Sequence, residues 1–413
     1  MASVLFTEIS ELVTNRGVAK KGGVGVNEED LGILRDGALL WDSRKGILWL
    51  GHDGDVPRGL ARGARRVSLA GKTLSPALAD CHTHLVFAGD RDDEFRRRLG
   101  GQTYQQIAAA GGGIASSVRA TRKASESELY KLARARIDRC LSLGVGLLEI
   151  KSGYGLDWPN ERKLLRVIAR LKREYRSKVV IQATFLGAHA FPPEAKNGRD
   201  KIAYANSILR KMLPQIKKEK LADACDVFCD DGYFTRAQAR RILRRAATLG
   251  LEIKLHADEL ADFGGAALAA ELGASSADHL LMASDAGLQR MARRGVVATL
   301  LPATAFYLGL PYAPVAEMRR AGLCMALATD FNPGSSPTLH LPFAMSIACL
   351  QMGMTPAEVF AAATYGSARA MGLHSTHGSL RVGGKPKIAV FDCPGYVALI
   401  SRMAHPSLCE KVF

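Results

Sequence analysis

Short apolar segments alternate with longer charged segments through most of the chain. This alternation restricts the possible folds of the chain more than any other feature of its sequence. Between Leu74 and about Gly372 each of eight apolar segments is followed by a stretch with helical periodicity, such as Asn160–Arg176. Repeated strand and helix units predict a parallel sheet covered by helices. Eight units fit a (β/α)8 TIM-like barrel of the α/β class. The predicted strands are Ala77–His84, Gly146–Lys151, Val179–His189, Ala224–Cys229, Leu251–His256, Ser275–Leu280, Val296–Leu301 and Cys324–Asp330.

The two ends of the chain have a different pattern. Residues 33–56 resemble a strand, a turn and a second strand, and Gly378–Asp392 resembles another strand pair around Gly383 and Gly384. We therefore expect a small composite β domain built from both termini, with residues 1–75 and 376–413 flanking a barrel of residues 76–375. Two unrelated tails are the alternative.

An excess of positive charge raises the question of an anionic partner. Lys and Arg number 56 against 40 Asp and Glu, which gives +16, and residues 151–250 account for 12 of these charges. Many of them recur at helical spacing, which favours the solvated faces of outer barrel helices over a nucleic-acid surface. The early Glu8 and Glu11 are unlike a secretory or transit segment. We expect a cytoplasmic protein without nucleic-acid or membrane partners.

Histidines and an aspartate close several of the predicted strands, where barrel enzymes place their chemistry. His82 and His84 are two residues apart, so they point to the same side of the first strand. His256 closes the fifth strand and Asp330 the eighth. Three imidazoles and a carboxylate suit Zn²⁺ or Fe²⁺ better than Mg²⁺ or Ca²⁺. The pattern predicts one divalent metal per subunit, and the alternative is a set of structural histidines.

Two further groups near these ligands suit proton transfer. Glu259 follows His256 by three residues, and His279 ends the sixth predicted strand. A metal-activated water needs a nearby group that takes its proton and returns it to a leaving nitrogen. We assign Glu259, His279 and Asp330 to the catalytic set, with Asp258 and Asp278 as less favoured candidates that could instead orient a ligand or cap a strand.

The chain resembles the imidazolonepropionase family of the amidohydrolase superfamily along nearly its whole length. H-x-H alone marks only the superfamily, whereas the strings EIKSGYGLD, FLGAHA and ATDFNPGSSPT are more specific. Pro386 and Lys387 stand where the family usually has Ala and Asp, which leaves the pairing of the C-terminal strands open. The segments that carry the resemblance are Asp80–Arg91, Tyr104–Arg122, Leu148–Asp157, Thr184–His189, Lys254–Glu259 and Ala328–Thr338.

The resemblance implies a reaction and a set of site residues. The reaction is hydrolysis of 4-imidazolone-5-propanoate to N-formimidoyl-L-glutamate, by attack of a metal-activated water on the ring carbonyl. The implied metal ligands are those named above, and the family also suggests a homodimer. The implied substrate-binding residues are Arg91, Tyr154, His189, Glu259, Asn332, Gly334 and Ser335.

Three alternatives remain open at this point. Glu259 could act as a general base or only position water and substrate. Lys151 lies on the second predicted strand, for which we expect a structural role and no bridge between two metals. Another amidohydrolase activity, such as deamination of a cyclic amidine, and a basic nucleic-acid-binding protein are the competing functions.

Overall fold

The computed structural model describes residues 3–102, 106–107, 111–406 and 408–413; part of the Tyr104–Arg122 motif therefore lies outside the described residues. Two sheets organise the chain. The strands are β1 Val4–Val13, β2 Ile33–Asp42, β3 Gly46–His52, β4 Arg65–Ser68, β5 Thr73–Pro76, β6 Leu78–Asp80, β7 Val145–Lys151, β8 Val180–Ala188, β9 Ala224–Cys229, β10 Glu252–Ala257, β11 Ser276–His279, β12 Val297–Leu300, β13 Met325–Leu327, β14 Ile388–Phe391 and β15 Cys409–Val412.

Strands β6 to β13 form a parallel sheet in sequence order, which confirms the predicted barrel. The sheet curves until its ends meet beyond the last regular strand residues. There Asp330 N donates to His82 O (3.0 Å) and His84 N donates to Phe331 O (2.9 Å). These bonds join the two segments that carry the predicted metal ligands.

Helices cover the barrel because their apolar faces pack on its apolar strands. Side-chain caps fix several starts: Asp157 accepts from Asn160 N at the start of Trp158–Glu174, and Thr235 and Gln238 form a capping box at Arg236–Thr248. The other α-helices of eight or more residues are Asp92–Leu99, Ile114–Lys123, Glu126–Ser142, Gly198–Ser207, Gly265–Leu272, Asp285–Arg294 and Leu341–Met352.

Shorter helical segments complete the chain. Two of them, Ile208–Met212 and Ala362–Gly366, are π-helical turns. Two 3-10 turns span Glu28–Leu31 and Asp53–Asp55. The remaining short α-helices are Arg16–Lys20, Arg58–Ala61, Leu213–Glu219, Pro302–Leu308, Val315–Ala321, Pro356–Ala361, Ser367–Ala370 and Tyr396–Ser401.

The second sheet takes strands from both ends of the chain, in the order β15-β14-β5-β1-β2-β3, with β4 paired to β1. The strand, turn and strand predicted for residues 33–56 are β2 and β3. The strand pair predicted within Gly378–Asp392 is wrong, because β14 instead pairs with β5 and β15. Gly383 and Gly384 lie in a turn whose backbone bonds Ile47. Gly383, Gly384 and Pro386 favour a turn over a strand in this segment.

The basic residues of 151–250 lie largely on outer helices, as expected. Arg166, Arg170 and Arg173 are exposed, as are Arg241 and Arg244. Some of the charge is locally compensated; Glu271 accepts from both Arg240 and Arg244. Within the described residues, none of the helices has the length and apolarity needed to cross a membrane.

Candidate metal centre

Three histidines and one aspartate converge at the carboxyl ends of the barrel strands. His82 and His84 follow β6, His256 lies in β10, and Asp330 follows β13; all are at most 2% exposed. One donor atom from each of the three histidines lies within 4.8 Å of the others. Asp330 Oδ1 is 3.5 Å from His82 Nε2 and 3.4 Å from His84 Nε2. The sequence therefore predicted a set of residues that the fold brings together.

The backbone at Asp330 has an unusual conformation that aims its carboxylate at the histidines. Its φ of 52° lies in the left-handed region, which non-glycine residues seldom adopt. Thr304 Oγ1 donates to Asp330 Oδ2 at 2.7 Å, which leaves Oδ1 facing the imidazoles. His279, at the end of β11, also has a positive φ of 76°. Such conformations persist where surrounding contacts hold them, often at functional sites.

The donor set fits a metal ion on its own chemistry. Among the described residues, His82 Nε2 and His256 Nε2 have no hydrogen-bond partner although both are buried. Burial, reinforced by the Lys151 ammonium, lowers the pKa of His84 to about 3. Burial and the same ammonium keep the pKa of His82 and His256 well below the usual value. Neutral imidazoles with free nitrogens are the form that binds metals.

Beneath these ligands lies a fully buried ionic layer of Glu149, Lys151, Asp226, Lys254 and Asp278. Lys151 Nζ is 3.0 Å from Glu149 Oε2, 2.7 Å from Asp226 Oδ2 and 3.5 Å from Asp278 Oδ2. Lys254 Nζ pairs with Glu149 Oε1 at 3.0 Å. Burial opposes a charged Lys151, but the three carboxylates outweigh it and raise its pKa above the ordinary value.

The ionic layer reaches the predicted metal ligands through two carboxylates. Asp278 Oδ2 is 2.6 Å from His82 Nδ1, and Asp226 Oδ2 is 2.9 Å from His256 Nδ1. The hydrogen bond between Asp278 and His82 Nδ1 fixes the tautomer that leaves the other nitrogen of His82 free for a metal. Asp226 lies close to His256 Nδ1 but does not have hydrogen-bond geometry with it. The sequence suggested such a role for Asp278 but missed Asp226. The signal was available, because Asp226 is the only charged residue in the apolar strand β9.

The two groups predicted for proton transfer lie side by side. Glu259 Oε1 is 3.5 Å from His279 Nδ1. Burial, reinforced by the Asp330 charge, raises the pKa of Glu259 well above its usual value. The loop that carries Glu259 is fixed by Asp230, whose Oδ2 accepts from Glu259 N at 2.8 Å. Asp258 is turned away and accepts three backbone N–H groups around Gly265. It therefore caps the helix Gly265–Leu272.

Tyr154 and His189 lie beside the proposed metal ligands. Their rings are 5.4 Å apart, and that of Tyr154 is 5.9 Å from His84. The loop with Tyr154 is shaped by Glu161, which the sequence reasoning missed. Its carboxylate accepts from the N–H groups of Gly153, Gly155 and Leu156. The position of Glu161 in the first turn of a helix that follows the EIKSGYGLD motif could have marked it.

The side chain of Arg91 is buried, unlike that of the neighbouring Arg96. Its side chain is 7% exposed, against 83% for Arg96. Glu94 Oε2 accepts from Arg91 Nε at 2.8 Å and lies 2.6 Å from Nη2. The guanidinium packs directly on Gly334, where a Cβ would overlap it. Arg91 and Gly334 therefore form one wall beside the centre.

Asn332 and Ser335 belong to the loop that follows Asp330. Asn332 Oδ1 accepts from the N–H groups of Gly334 and Ser335, both at 2.8 Å. Its Nδ2 donates to Asp330 O and Ser335 Oγ. All four hydrogen-bonding positions of the Asn332 amide are thus used within the loop. Asn332 therefore stabilises the conformation of this loop.

Comparisons with known proteins agree with this geometry. A family model described as Amidohydrolase family matches residues 204–409. Imidazolonepropionase from Shouchella clausii is 45% identical over 403 residues, which are 97% of this chain and 89% of the relative. Imidazolonepropionase from Geobacillus kaustophilus is 46% identical over 393 residues, or 94% and 92% of the two chains.

A solved structure supports the fold independently. The crystal structure of an adenosine deaminase from Xanthomonas campestris with bound zinc superposes with a TM-score of 0.68. The match covers 100% of this chain and 91% of that chain, at 18% sequence identity. At this identity the likeness supports the shared barrel architecture and no particular substrate.

Proposed function

The chain belongs to the imidazolonepropionase family of amidohydrolases, and from this premise we propose how its own residues carry out the family's reaction. The enzyme hydrolyses 4-imidazolone-5-propanoate, a step of histidine degradation. Water is added across the cyclic amide: the carbonyl carbon gains the oxygen, the C–N bond breaks, and the ring nitrogen gains a proton to give N-formimidoyl-L-glutamate. The observation that carries the proposal is the convergence of His82, His84, His256 and Asp330 in a chain of this family.

We propose that these four residues hold one divalent metal ion, zinc or iron. The buried nitrogens without hydrogen bonds and the neutral imidazoles fit either ion, and a carboxylate ligand completes the set. A divalent ion bound there supplies Lewis acidity, which lowers the pKa of water from about 16 toward about 7 and polarises a carbonyl group. Asp226 and Asp278 keep two of the imidazoles oriented.

Glu259 and His279 handle the protons of the reaction. Burial raises the pKa of Glu259, so its carboxyl group exchanges protons at a pH closer to neutrality than an exposed glutamate does. It accepts the proton from the attacking water and delivers it to the leaving ring nitrogen. His279, 3.5 Å away, helps orient the carboxylate and the substrate carbonyl. The proton that Glu259 takes from water is the one that it gives to the ring nitrogen, so the reaction needs no second proton donor.

Arg91, Tyr154 and His189 position the substrate. The propanoate carboxylate is an anion, and a guanidinium is the side chain that best matches it. Glu94 holds the Nε and Nη2 edge of Arg91, and Nη1 lies against Gly334. His189 Nδ1 is 3.1 Å from Gly153 O, which fixes the ring and leaves Nε2 for the substrate. Gly334 and Ser335 complete this wall.

Ring opening distinguishes this reaction from deamination of a cyclic amidine. Purified protein is mixed with imidazolone propanoate, and ultraviolet absorbance and free ammonia are followed together. The proposal expects loss of the imidazolone absorbance without ammonia release, and no loss with a His256→Ala variant. Ammonia release at the same rate as the loss of absorbance would favour a deaminase. An unchanged absorbance would refute the proposed reaction.

The homodimer implied by the family resemblance and the cytoplasmic location expected from the N-terminal sequence both stay predictions. Light scattering of the purified protein tests the first, with a mass of twice 44.4 kDa expected.

A further inference from the structure

The ammonium group of Lys151 lies in a cage of carboxylates directly below the metal ligands. Its three carboxylate neighbours are Glu149, Asp226 and Asp278, at 3.0, 2.7 and 3.5 Å. All four side chains are fully buried. Taking an ion pair out of water is costly unless the geometry repays it, so a buried lysine with three acidic partners requires an explanation.

This cage has the composition of a second metal site. Donor atoms of His82, Glu149 and Asp278 lie within 4.8 Å of one another, as do those of the three histidines of the proposed first site. Lys151 Nζ contacts the two carboxylates of this second group. An ammonium ion therefore lies where the protein's own side chains could otherwise bind a cation.

The charges of the region support one metal ion and no more. The ionic layer has three carboxylates and two ammonium groups, so its net charge is −1. Asp330 adds one negative charge, and one divalent ion then balances the ionic layer and Asp330 together. Without Lys151 the layer would have a charge of −2, and a second divalent ion would be attracted to it.

We propose that Lys151 is a built-in cation that occupies the place of a second metal ion and so restricts the centre to a single ion. This inference rests on the proposed single-metal function. Lys151 also fixes Asp226 and Asp278, which hold the Nδ1 atoms of His256 and His82. A second metal would compete with Asp278 for His82, whereas a lysine tethered to β7 leaves that contact intact. Lys151 is therefore a positioning residue and does not touch substrate.

Metal stoichiometry tests this inference. The test variant is Lys151→Met, which removes the charge and keeps the length of the side chain. The matched control is Lys163→Met, because Lys163 donates to three backbone carbonyls outside the centre, those of Thr121, Arg122 and Ala124. A double variant, Glu149→Gln with Lys151→Met, restores the net charge of the layer. Each protein is dialysed against Zn²⁺, its bound metal is measured by mass spectrometry, and the affinity is measured by chelator competition.

The proposal predicts one equivalent per chain in the wild type, the control and the double variant, and two equivalents in Lys151→Met. It also predicts that the first equivalent in Lys151→Met is held about 10- to 100-fold more weakly, because Asp226 and Asp278 lose their anchor. One equivalent with wild-type affinity in Lys151→Met would overturn the inference.

The inference can be tested even if the Lys151→Met variant does not fold. If Lys151→Met shows no thermal unfolding transition even with Zn²⁺, the double variant decides, since its layer has the original charge. A folded double variant with one equivalent supports the charge argument, and an unfolded one shows that Lys151 serves only packing. A wild-type protein without bound metal would instead refute the proposed metal centre itself.

Discussion

The imidazole rings of His84 and His189 lie nearly face to face, with centroids 4.8 Å apart and planes 19° from parallel. One is a proposed metal ligand and the other a proposed substrate-binding group. The stacked pair therefore joins the metal side of the centre to its substrate side. Burial, reinforced by His84, lowers the pKa of His189 to about 3, and the pKa of His84 is likewise about 3, so both rings stay neutral at physiological pH.

Replacing Glu259 by Ala should lower kcat about 10²- to 10⁴-fold while metal content stays at the wild-type value, because a group that transfers protons is removed and no ligand is lost. Steady-state kinetics and metal analysis on the same sample check this. Glu259→Gln separates the two roles of the side chain. Loss of activity in this variant supports proton transfer, and retained activity assigns Glu259 to positioning alone.

Gly334→Ala should raise KM for the imidazolone substrate at least tenfold, because a Cβ at this position displaces the Arg91 guanidinium. Gly198→Ala is the matched control, since a Cβ there meets nothing within 4 Å. The KM values of the two variants and of the wild type are compared at constant metal content. An unchanged KM in Gly334→Ala would remove Arg91 from substrate binding.

Glu161→Gln should raise KM several-fold and reduce stability by about 1–3 kcal/mol, since an amide cannot accept all the backbone N–H groups of the Tyr154 loop. Glu174→Gln, near the exposed end of the same helix, is expected to leave KM unchanged. Substrate titrations and urea unfolding measure the two effects. A stability loss with no change in KM would show that the loop does not position substrate.

Removal of metal by a chelator should lower the thermal unfolding midpoint, because an ion that binds only the folded state adds about 4 kcal/mol of stability at a concentration 1,000 times its Kd. Differential scanning calorimetry before and after dialysis checks this, and one equivalent of Zn²⁺ should restore the original midpoint. A His84→Ala variant should show a smaller shift. Identical midpoints with and without chelator would contradict a buried metal centre.

The barrel could be predicted from the sequence because buried parallel strands are continuous apolar runs that periodicity detects. The proposed ligand set could be predicted for a related reason: His256 lies near the carboxyl end of β10 and Asp330 follows β13, and all strand ends of a barrel meet at one face. The family motifs then placed Arg91, Tyr154 and His189 near that face, where the structure has them.

The ionic layer and the C-terminal strands could not be predicted in the same way. Glu149 and Lys254 are far apart in sequence, and only barrel closure shows that their charges compensate each other. Likewise, β14 finds its partners in β5 and β15, and pairing between distant segments leaves no local signal. Glu161 was missed because its partners are backbone N–H groups, which every sequence has.

The dependence of turnover on metal equivalents tests whether each chain works with a single metal ion. Metal-free protein is titrated with Zn²⁺, and with Fe²⁺ under anaerobic conditions, while the initial loss of imidazolone absorbance is recorded. With one metal site per chain, we expect no activity in the metal-free protein. The initial rate should then rise linearly with added metal and stop rising at one equivalent per chain. A rise that continues to two equivalents, or full activity in the metal-free protein, would contradict this expectation.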